Sequence, residues 1–467
     1  MIGFTGDLIY PWHDRYDAAR RVWNGAIDRY PALIARARCT GDVAAVVRFA
    51  RAEGLPLSIR GGGHSAAGLA VADDALMLDL SAMKAVTVDP AARVATAAPG
   101  VLWRELDAAT QAHGLATTGG VVGSTGVAGL TLGGGIGWLD RVAGLACDNL
   151  TGAEVVTADG QVLRAGATEN DDLLWALRGG GGNFGVVTSF RFRLHPVTGG
   201  YGGLLGYAFD HAADVLCAYA EFAGQAPGWF ALQAGLATAP PAPFMPGHLH
   251  GQRLAALFPV CFAAPDEAQR AVARLRALLP PPVVDAVGPM PYEQVQRLAD
   301  PAALPGMHHY YTAEWLDGLD RQAAGALVSA FAAAPSPSSL IVLKRMGGAT
   351  ARVPAAATAF WYRRAAHNLD IHAQWPPGAD PAPHIAWARA ARAAARRVSA
   401  GGGYVNFVGA DEGADRVRAA YGGNHERLAE VKAAYDPGNF FRLNHNIAPA
   451  APAAQTRQRC GPPGAGS

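Results

Sequence analysis

The stretch "SIRGGGHSAAG", from Ser58 to Gly68, places three consecutive glycines directly before a histidine and a serine. The preceding residues, "PLSIR", predict a short strand that delivers the chain into the glycines. Glycine lets the backbone adopt positive φ and come close to a ligand. His64 is the one titratable group from Gly61 to Gly68, and a neutral imidazole is a nucleophile that can carry a covalent bond to a cofactor. An ordinary surface or core histidine is the alternative.

Two further glycine segments, Gly119–Gly137 and Gly179–Gly185, also lie beside predicted strands. Successive free N–H groups on such segments form a concavity that binds anions, so together they predict a pyrophosphate site. Tight turns and bulges are the alternative. Gly180–Gly185 matches the GxGxxG dinucleotide motif, but a helix precedes it and a strand follows. Because the Rossmann motif needs the reverse order, a Rossmann fold is rejected.

The composition indicates a globular protein without a polyanionic partner. The chain has 467 residues, 50% hydrophobic, and a net charge of +1 from 39 basic and 38 acidic residues. We therefore expect no nucleic-acid partner. The five cysteines show no CxxC spacing, so neither a metal site nor a disulfide framework is predicted. No secretory signal and no apolar run of about 18 residues is recognisable, so we expect a cytoplasmic protein with no membrane partner.

The length predicts two domains or one large domain with an insertion. The glycine clusters vanish near Gly199, where helical and strand patterns begin to alternate. This change predicts a first domain over 1–200 and a second, of α+β type, over 201–400. Residues 401–447 then predict a strand and a helix, and the Pro/Ala/Gly-rich tail 448–467 predicts disorder.

Several motifs together resemble one family. They are "RGGGHSAAG", "GGVVGSTGVAGLTLGGGIGW", "GLACDNLTGAEVVTADG", "LRGGGGNFGVVTSF" and "YDPGNFFRLNHNI". This set is similar to the berberine-bridge-enzyme-like flavoproteins of the vanillyl-alcohol-oxidase superfamily, over roughly 10–200 and 340–447. The resemblance implies a two-domain α+β, PCMH-type FAD-binding fold. The segment 401–447 would return to the FAD domain, and an antiparallel sheet backed by helices would form the substrate domain.

The resemblance also implies a covalent cofactor. His64 matches the histidine that the family bonds to the 8α-methyl carbon of FAD. Val122 stands where many members carry a second, cysteine tether, and Cys147 lies outside that motif, so a single link is expected and a link through Cys147 is not. The FAD-binding positions implied by the resemblance are Arg60, Gly61, Gly62, Gly63, His64, Ser65, Gly120, Val122, Gly123, Ser124, Thr125, Gly129, Gly134, Gly135, Asp148, Val187, Asn406, Asn444 and Asn446.

The usual catalytic tyrosine is replaced. In "YVNF" the position of the family's base is Phe407, which cannot titrate. Strand alternation places Tyr404 and Asn406 on one face, opposite Phe407. In "NLDIHAQW" the same alternation aligns the polar side chains, and the resemblance implies that this strand lines the cavity over the flavin. The catalytic candidates are Asp370, His372 and Tyr404, with Tyr310 and Tyr311 ranked behind them.

The expected activity is hydride transfer from a small molecule to FAD, followed by reduction of dioxygen to hydrogen peroxide. Thr125 lies near a position that controls oxygen access in related plant enzymes, and no bulky leucine is there, which favours an oxidase. A bacterial secondary-metabolite alcohol or activated C–H is the preferred substrate. The alternatives are a sugar or oligosaccharide oxidase, a dehydrogenase of the same fold, and a flavin-bound cyclase or binding protein without net redox turnover.

Overall fold

The computed structural model describes residues 2–451, and its N-terminal part is built around two sheets. The strands of this part are β1 (Asp7–Ile9), β2 (Leu33–Arg36), β3 (Leu57–Arg60), β4 (Leu76–Asp79), β5 (Val86–Asp89), β6 (Val94–Ala97), β7 (Leu115–Ala116), β8 (Leu150–Val156), β9 (Val162–Gly166), β10 (Val186–Arg193) and β11 (His195–Pro196). The helices are α1 (Tyr16–Arg20), α2 (Thr40–Ala52), α3 (Trp103–Gln111), α4 (Val127–Leu132), α5 (Asp140–Ala143), α6 (Ala146–Asn149) and α7 (Asp171–Leu177).

The first sheet, in the order β1-β2-β4-β3, pairs β4 with β2 and β3 in parallel. The strand predicted from "PLSIR" is confirmed as β3, and its carboxyl end opens directly into Gly61. The second sheet, in the order β5-β6-β10-β8-β9, is antiparallel. Its strand β10 begins right after the Gly179–Gly185 segment. Each sheet therefore has a glycine segment next to one of its strands, after β3 in the first sheet and before β10 in the second.

A seven-stranded antiparallel sheet dominates the middle of the chain, in the order β15-β12-β14-β13-β17-β18-β16. Its strands are β12 (Gly199–Ala208), β13 (Phe230–Thr238), β14 (Arg253–Cys261), β15 (Val284–Pro291), β16 (His308–Leu316), β17 (Leu340–Arg345) and β18 (His367–Trp375). The accompanying helices are α8 (Ala212–Gln225), α9 (Pro265–Arg276), α10 (Tyr292–Gln296), α11 (Arg321–Ala332), α12 (Ala349–Arg352) and α13 (Pro381–Ala394).

One face of this sheet is covered by helices. Side chains such as Leu257, Leu343 and Ile371 pack there against Leu216 of α8 and Leu327 of α11 in one hydrophobic core. Alternation along each strand leaves the opposite residues on the other face. The expected α+β fold with an antiparallel sheet backed by helices is confirmed.

The C-terminal segment contains two helices, α14 (Ala414–Tyr421) and α15 (His425–Tyr435). Val417 and Leu428 from these helices share a hydrophobic core with Leu174 and Phe190 of the N-terminal part. The predicted disordered tail falls mostly on 452–467, outside the described residues. Just before it, the Ala450 N–H donates to a carbonyl of α15. The remaining short 3-10 helices are Phe209–His211, Gly247–Leu249, Asp300–Ala302, Ala355–Ala357, Arg396–Val398, Val405–Phe407 and Gly422–Asn424.

The strand predicted around "YVNF" is wrong, because Val405–Phe407 form a 3-10 helix. The Phe407 N–H donates to the Tyr404 carbonyl, and a strand partner is absent for this segment within residues 2–451. Side chains in this segment therefore do not alternate between two faces, and Phe407 need not point away from Tyr404 and Asn406.

A buried ion pair ties α15 to the third glycine segment. The Lys432 Nζ lies 2.6 Å from an Asp436 carboxylate oxygen and also donates to the Asn183 carbonyl at 2.7 Å and the Phe441 carbonyl at 3.0 Å. The Asp436 carboxylate accepts in addition from the Phe440 and Phe441 N–H groups. The two side chains are at most 1% exposed. All three ammonium hydrogens therefore have partners, as a buried charge requires.

Removing this lysine should destabilise the fold strongly. Lys432→Met leaves a buried, unpaired carboxylate, so we expect a loss of about 3–5 kcal/mol in the free energy of unfolding. Chemical denaturation measures it, and Lys84→Met is the matched control, because Lys84 forms an exposed pair with Glu105 worth at most about 1 kcal/mol. The double variant Lys432→Met/Asp436→Asn should recover part of the loss. Equal stability of the two single variants would contradict this account.

Candidate functional site

The three glycine segments converge on one cavity of about 360 Å³. The first comes from the end of β3, the second runs into α4, and the third precedes β10. The C-terminal segment closes the same cavity with Asn444 and His445. The lining residues from these segments include Gly61, Gly62, Gly63, His64, Ser65, Gly120, Val121, Val122, Thr125, Gly126, Gly129, Gly133, Gly181, Gly182 and Gly185.

Two glycines allow the first and second segments to touch. A Cβ built on Gly62 would lie 2.5 Å from the Gly126 Cα, and one on Gly126 would lie 2.6 Å from the Gly62 nitrogen. Real Cβ atoms do not come this close to backbone, so neither position accepts another residue without moving the chain. The contact brings the loop of His64 against the loop of Ser124.

Other glycines leave space on the cavity side. A Cβ on Gly129 or Gly182 would meet no protein atom within 4 Å, and both residues line the cavity. The absence of side chains there keeps the cavity open. The buried Oδ1 of Asn444, another lining residue, has no hydrogen-bond partner within the described chain. A cavity walled by bare backbone with an unsatisfied acceptor fits a ligand that brings its own hydrogen-bond donors.

The His64 ring borders this cavity and stacks on Trp23, with ring centroids 4.1 Å apart and planes inclined by 16°. Its Nε2 lies 3.3 Å from the Ser124 Oγ. Burial among apolar surroundings lowers the pKa of His64 to about 4. The imidazole is therefore neutral near pH 7, which is the form that acts as a nucleophile.

The large sheet supplies the opposite wall. Cross-strand register aligns Gln233 of β13 with Lys344 of β17, and Leu340 of β17 with His372 of β18. His372 in turn pairs with Tyr311 of β16, and the two rings stack at 3.9 Å. All five side chains line the cavity. Alternation along four neighbouring strands thus builds one wall with polar groups on an otherwise apolar surface.

A buried ion pair lies in this wall. The Lys344 Nζ is 2.5 Å from a carboxylate oxygen of Asp370, and the side chains are 7% and 0% exposed. Burial raises the pKa of Asp370, and the ammonium of Lys344 partly opposes that rise. Among the described residues that line the cavity, Lys344 is the single lysine, arginine, aspartate or glutamate. Its charge is thus the fixed point for any polar group that enters.

The other polar groups of the wall are uncharged near pH 7. Burial lowers the pKa of His372 well below its ordinary range, and its Nε2 is buried without a partner in residues 2–451. Burial raises the pKa of Tyr311 far above its ordinary value. Neither residue gains or loses a proton easily, so both are suited to hydrogen bonding and packing rather than to titration.

Tyr404 and Asn406, which both line the cavity, form a small hydrogen-bond network. The Tyr404 oxygen accepts from the Gly135 N–H at 3.0 Å and from the Asn406 Nδ2 at 2.8 Å. Burial raises the pKa of Tyr404 to about 12. Phe407 lines the same cavity and packs edge-on against Tyr311, so the expectation of an opposite face for Phe407 is wrong. The physical reason is the 3-10 turn at 405–407 described above.

Many of the positions predicted to bind FAD or act in catalysis line the cavity. These are Gly61, Gly62, Gly63, His64, Ser65, Gly120, Val122, Thr125, Gly129, Val187, His372, Tyr404, Asn406 and Asn444. Eight others within the described chain do not line it: Arg60, Gly123, Ser124, Gly134, Gly135, Asp148, Asp370 and Asn446.

Several of these eight act behind the wall. Asp148 forms a bidentate pair with the buried Arg363 at 2.6 and 2.7 Å. Arg60 donates to the Ala19 carbonyl at 2.7 Å, and Gly123 donates its N–H to Asp300. Asp370 reaches the cavity through Lys344. Asp370 thus contacts the lining residue Lys344, and none of these four positions contributes surface to the cavity.

Sequence reasoning missed Lys344, Gln233 and Trp23. The signal for Lys344 was present, because "LIVLKR" alternates with Leu340, Val342 and Lys344 on one side of a strand. A lone charge on such a face is a candidate functional group. Trp23 carried no local signal, since only the fold brings it to His64.

Cys147 is buried and does not line the cavity among the described residues. Burial raises the pKa of its thiol far above the ordinary value, so it is inert. Groups of three or more metal-ligating side chains do not occur in residues 2–451. In that same range, every helix falls short of the length and hydropathy needed to cross a bilayer.

Comparison with known proteins agrees with this geometry. Residues 31–166 match the model of an FAD binding domain, and residues 403–448 match a model described as berberine and berberine like. The chain is 31% identical to (R)-6-hydroxynicotine oxidase of Paenarthrobacter nicotinovorans, with 96% of this chain and 98% of that protein covered. It is 29% identical to an FAD-linked oxidoreductase of Dictyostelium discoideum, with 91% of each covered.

Solved structures show the same fold. The crystal structure of 6-hydroxy-D-nicotine oxidase from Arthrobacter nicotinovorans superposes with a TM-score of 0.85 at 29% identity, covering 96% of this chain and 98% of that one. Xylooligosaccharide oxidase from Myceliophthora thermophila shares the fold with a TM-score of 0.84 at 22% identity, with the same coverage. Fold and site thus define an FAD-linked oxidoreductase. The chain belongs to the berberine-bridge-enzyme-like family, as its motifs suggested.

Filling the cavity at Gly129 should block cofactor binding. Gly129→Leu projects a side chain into open space, so we expect FAD per chain to fall at least ~10-fold, equivalent to ~1.4 kcal/mol. Absorbance of the purified protein measures this. Gly325→Leu on α11 is the control, because a Cβ there also meets no atom within 4 Å. Normal FAD content in Gly129→Leu would show that the cofactor does not lie over α4.

Proposed function

We propose that this protein is an oxidase with FAD bonded covalently to His64, acting on a small, mainly apolar molecule that carries one hydroxyl or amine. One observation carries the proposal: the glycine segments with His64 and the Lys344 wall of the large sheet line a single cavity. In this proposal residues 1–200 with 401–447 form the FAD-binding domain, and 201–400 form the substrate-binding domain. When bound, FAD supplies the ring that accepts a hydride.

The glycine segments would hold the dinucleotide. Their free N–H groups suit a pyrophosphate, and Gly129 and Gly182 leave room for bulky rings. His64 directly follows the first glycine segment, lines the cavity and is neutral near pH 7, which supports it as the single covalent link. Val122 lines the cavity where a second tether would be, and it has no atom able to form one.

The wall chemistry supports the substrate class. Gln233, Lys344, His372 and Tyr311 are its polar groups, and the surrounding surface includes Leu340, Val342 and Phe407. An oligosaccharide would need more hydrogen-bond partners than this wall offers. A compact molecule with one polar function, such as a secondary-metabolite alcohol or an amine-bearing ring, is better matched.

Lys344 would orient the substrate, and Asp370 would be the final acceptor in the transfer of the substrate proton. One ammonium hydrogen of Lys344 points to Asp370, which leaves two donors for a substrate oxygen or nitrogen. As hydride leaves the neighbouring carbon, the substrate O–H or N–H proton passes to Lys344, and the Lys344 proton passes to Asp370. Tyr404 keeps its proton, so we assign it a hydrogen-bonding role. Thr125, a small lining residue, leaves access for dioxygen, whose product would be hydrogen peroxide.

The covalent link is tested by acid precipitation. The native protein should retain yellow colour and one flavin mass, and His64→Ala should release its FAD. Intact mass and absorbance give both readings. Ser65→Ala, the neighbour that also lines the cavity, is the control and should keep the link. FAD released from the native protein would contradict the tether.

The turnover is tested by anaerobic mixing. Bleaching of the flavin by a panel that includes (R)-6-hydroxynicotine, xylobiose and simple aryl alcohols would identify the substrate class. Oxygen uptake with peroxide formation then separates an oxidase from a dehydrogenase. A panel in which compounds bind without bleaching would instead support a flavin-bound protein without net redox turnover.

Lys344 and Asp370 should control the rate of flavin reduction. Lys344→Met removes the cavity charge, so we expect a loss of ~100-fold in that rate with covalent FAD unchanged. In the native protein the rate should fall as pH drops through the raised pKa of Asp370, above the ordinary carboxyl value of about 3.9, because protonation removes the acceptor. Asp370→Asn should abolish that acid limb. Stopped-flow absorbance measures the rate of flavin reduction in the native protein and in both variants.

The control for these variants is Lys84→Met, a lysine exposed on the surface. It should reduce flavin at the native rate across the pH range. If Lys344→Met did the same, the substrate would not be held by this wall.

A further inference from the structure

A short N-terminal segment, residues 21–27, forms hydrogen bonds to the chain on both sides of His64; we call it the N-terminal strap. The Trp23 N–H donates to the Gly63 carbonyl at 3.0 Å. On the other side, the Asn24 Nδ2 donates to the Ala66 carbonyl at 2.6 Å. The backbone carrying His64 is therefore held one residue before and two residues after the imidazole.

The strap is in turn fixed to the large sheet. The Asn24 side chain donates to the His309 carbonyl at 2.9 Å and accepts from the His309 N–H at 3.0 Å. The Gly25 N–H donates to the Met307 carbonyl, and the Trp23 indole N–H donates to the Ala303 carbonyl. Asn24 is 1% exposed. The strap thus ties the His64 loop to strand β16 with satisfied hydrogen bonds.

The Trp23 ring lies between two imidazoles. One of its faces stacks on His64 at 4.1 Å, and it stacks on His309 at 3.8 Å with planes inclined by 17°. The His309 Nε2 is 3.3 Å from the Leu304 carbonyl, which fixes that ring from behind. A Trp ring clamped in this way fixes the plane of the His64 imidazole, because stacked rings resist tilting.

We propose that Trp23 is a positioning residue for the covalent attachment of FAD to His64. This inference rests on the proposed function. A fixed ring plane holds the imidazole in one orientation at the cavity, so the bond forms without a search over side-chain rotamers. The Ser124 hydroxyl, 3.3 Å from Nε2, completes the setting and can exchange a proton with the ring.

The attachment balances without a further reactant except dioxygen. One C–N bond forms between His64 and the 8α-carbon, while one imidazole N–H bond and one C–H bond break. The two protons and two electrons released pass to the ring system of FAD. Dioxygen then accepts the two protons and the two electrons and leaves as hydrogen peroxide, which restores the oxidised cofactor.

The test separates FAD that is bound without a covalent link from FAD that is covalently bonded in the purified protein. Trp23→Leu removes the stacking face, and Trp23→Phe keeps one. Total FAD is read from absorbance after gel filtration, and the bonded fraction from intact mass, followed over time in air with added FAD. Trp12→Leu is the control, since Trp12 is 75% exposed on the surface.

We expect Trp23→Leu to hold the native amount of FAD while bonding it at least ~10-fold more slowly, with Trp23→Phe restoring most of the rate. Bonding at the native rate in Trp23→Leu would overturn the inference, and so would loss of total FAD in that variant. If Trp23→Leu does not fold, His309→Leu frees the far face of Trp23, and slower bonding is again expected. An unbonded native protein would instead overturn the proposed function itself.

Discussion

The backbone contact between Gly62 and Gly126 is the constraint on which the rest of the site depends. A Cβ on either residue would collide with the other chain, so two loops from distant parts of the sequence meet without side chains between them. This contact puts the loop of His64 beside the loop of Ser124 and Thr125. The cavity and the cluster around the imidazole follow from that approach. Glycine is needed at these two positions because it has no side chain, and any larger residue would separate the loops.

The second organising principle is the placement of charge in a mainly apolar interior. Lys344 is held beside Asp370 on the wall of the large sheet, where both would be costly if unpaired. The pair brings one fixed charge into a cavity otherwise lined by neutral groups. Burial keeps His64, His372 and Tyr311 uncharged around it, since it lowers the pKa of the two histidines and raises that of the tyrosine. The electrostatics of the site thus depend on a single lysine.

Both ends of the described chain return to the glycine segments. The N-terminal strap binds the backbone around His64, and Lys432 of α15 binds the carbonyl of Asn183 in the third segment. Asn444 closes the cavity from the C-terminal side. Glycine-rich loops lose much conformational entropy on ordering, so they need such external hydrogen bonds to keep one shape. The strap and α15 supply them from opposite ends of the sequence.

The sequence by itself determined what is local. Neighbouring residues specify the glycine runs, the histidine that follows them, strand β3 and the alternating strands of the large sheet. The motifs identified the family and the cofactor. Only the tertiary structure decided which side chains meet. Lys344 enters the cavity because β17 pairs with β18 in one register, Asp370 lies behind it, and Trp23 reaches His64 through hydrogen bonds between segments far apart in the chain. Phe407 faces the cavity because its segment turns instead of pairing. Register and long-range packing depend on the whole fold, so no local pattern could specify these contacts.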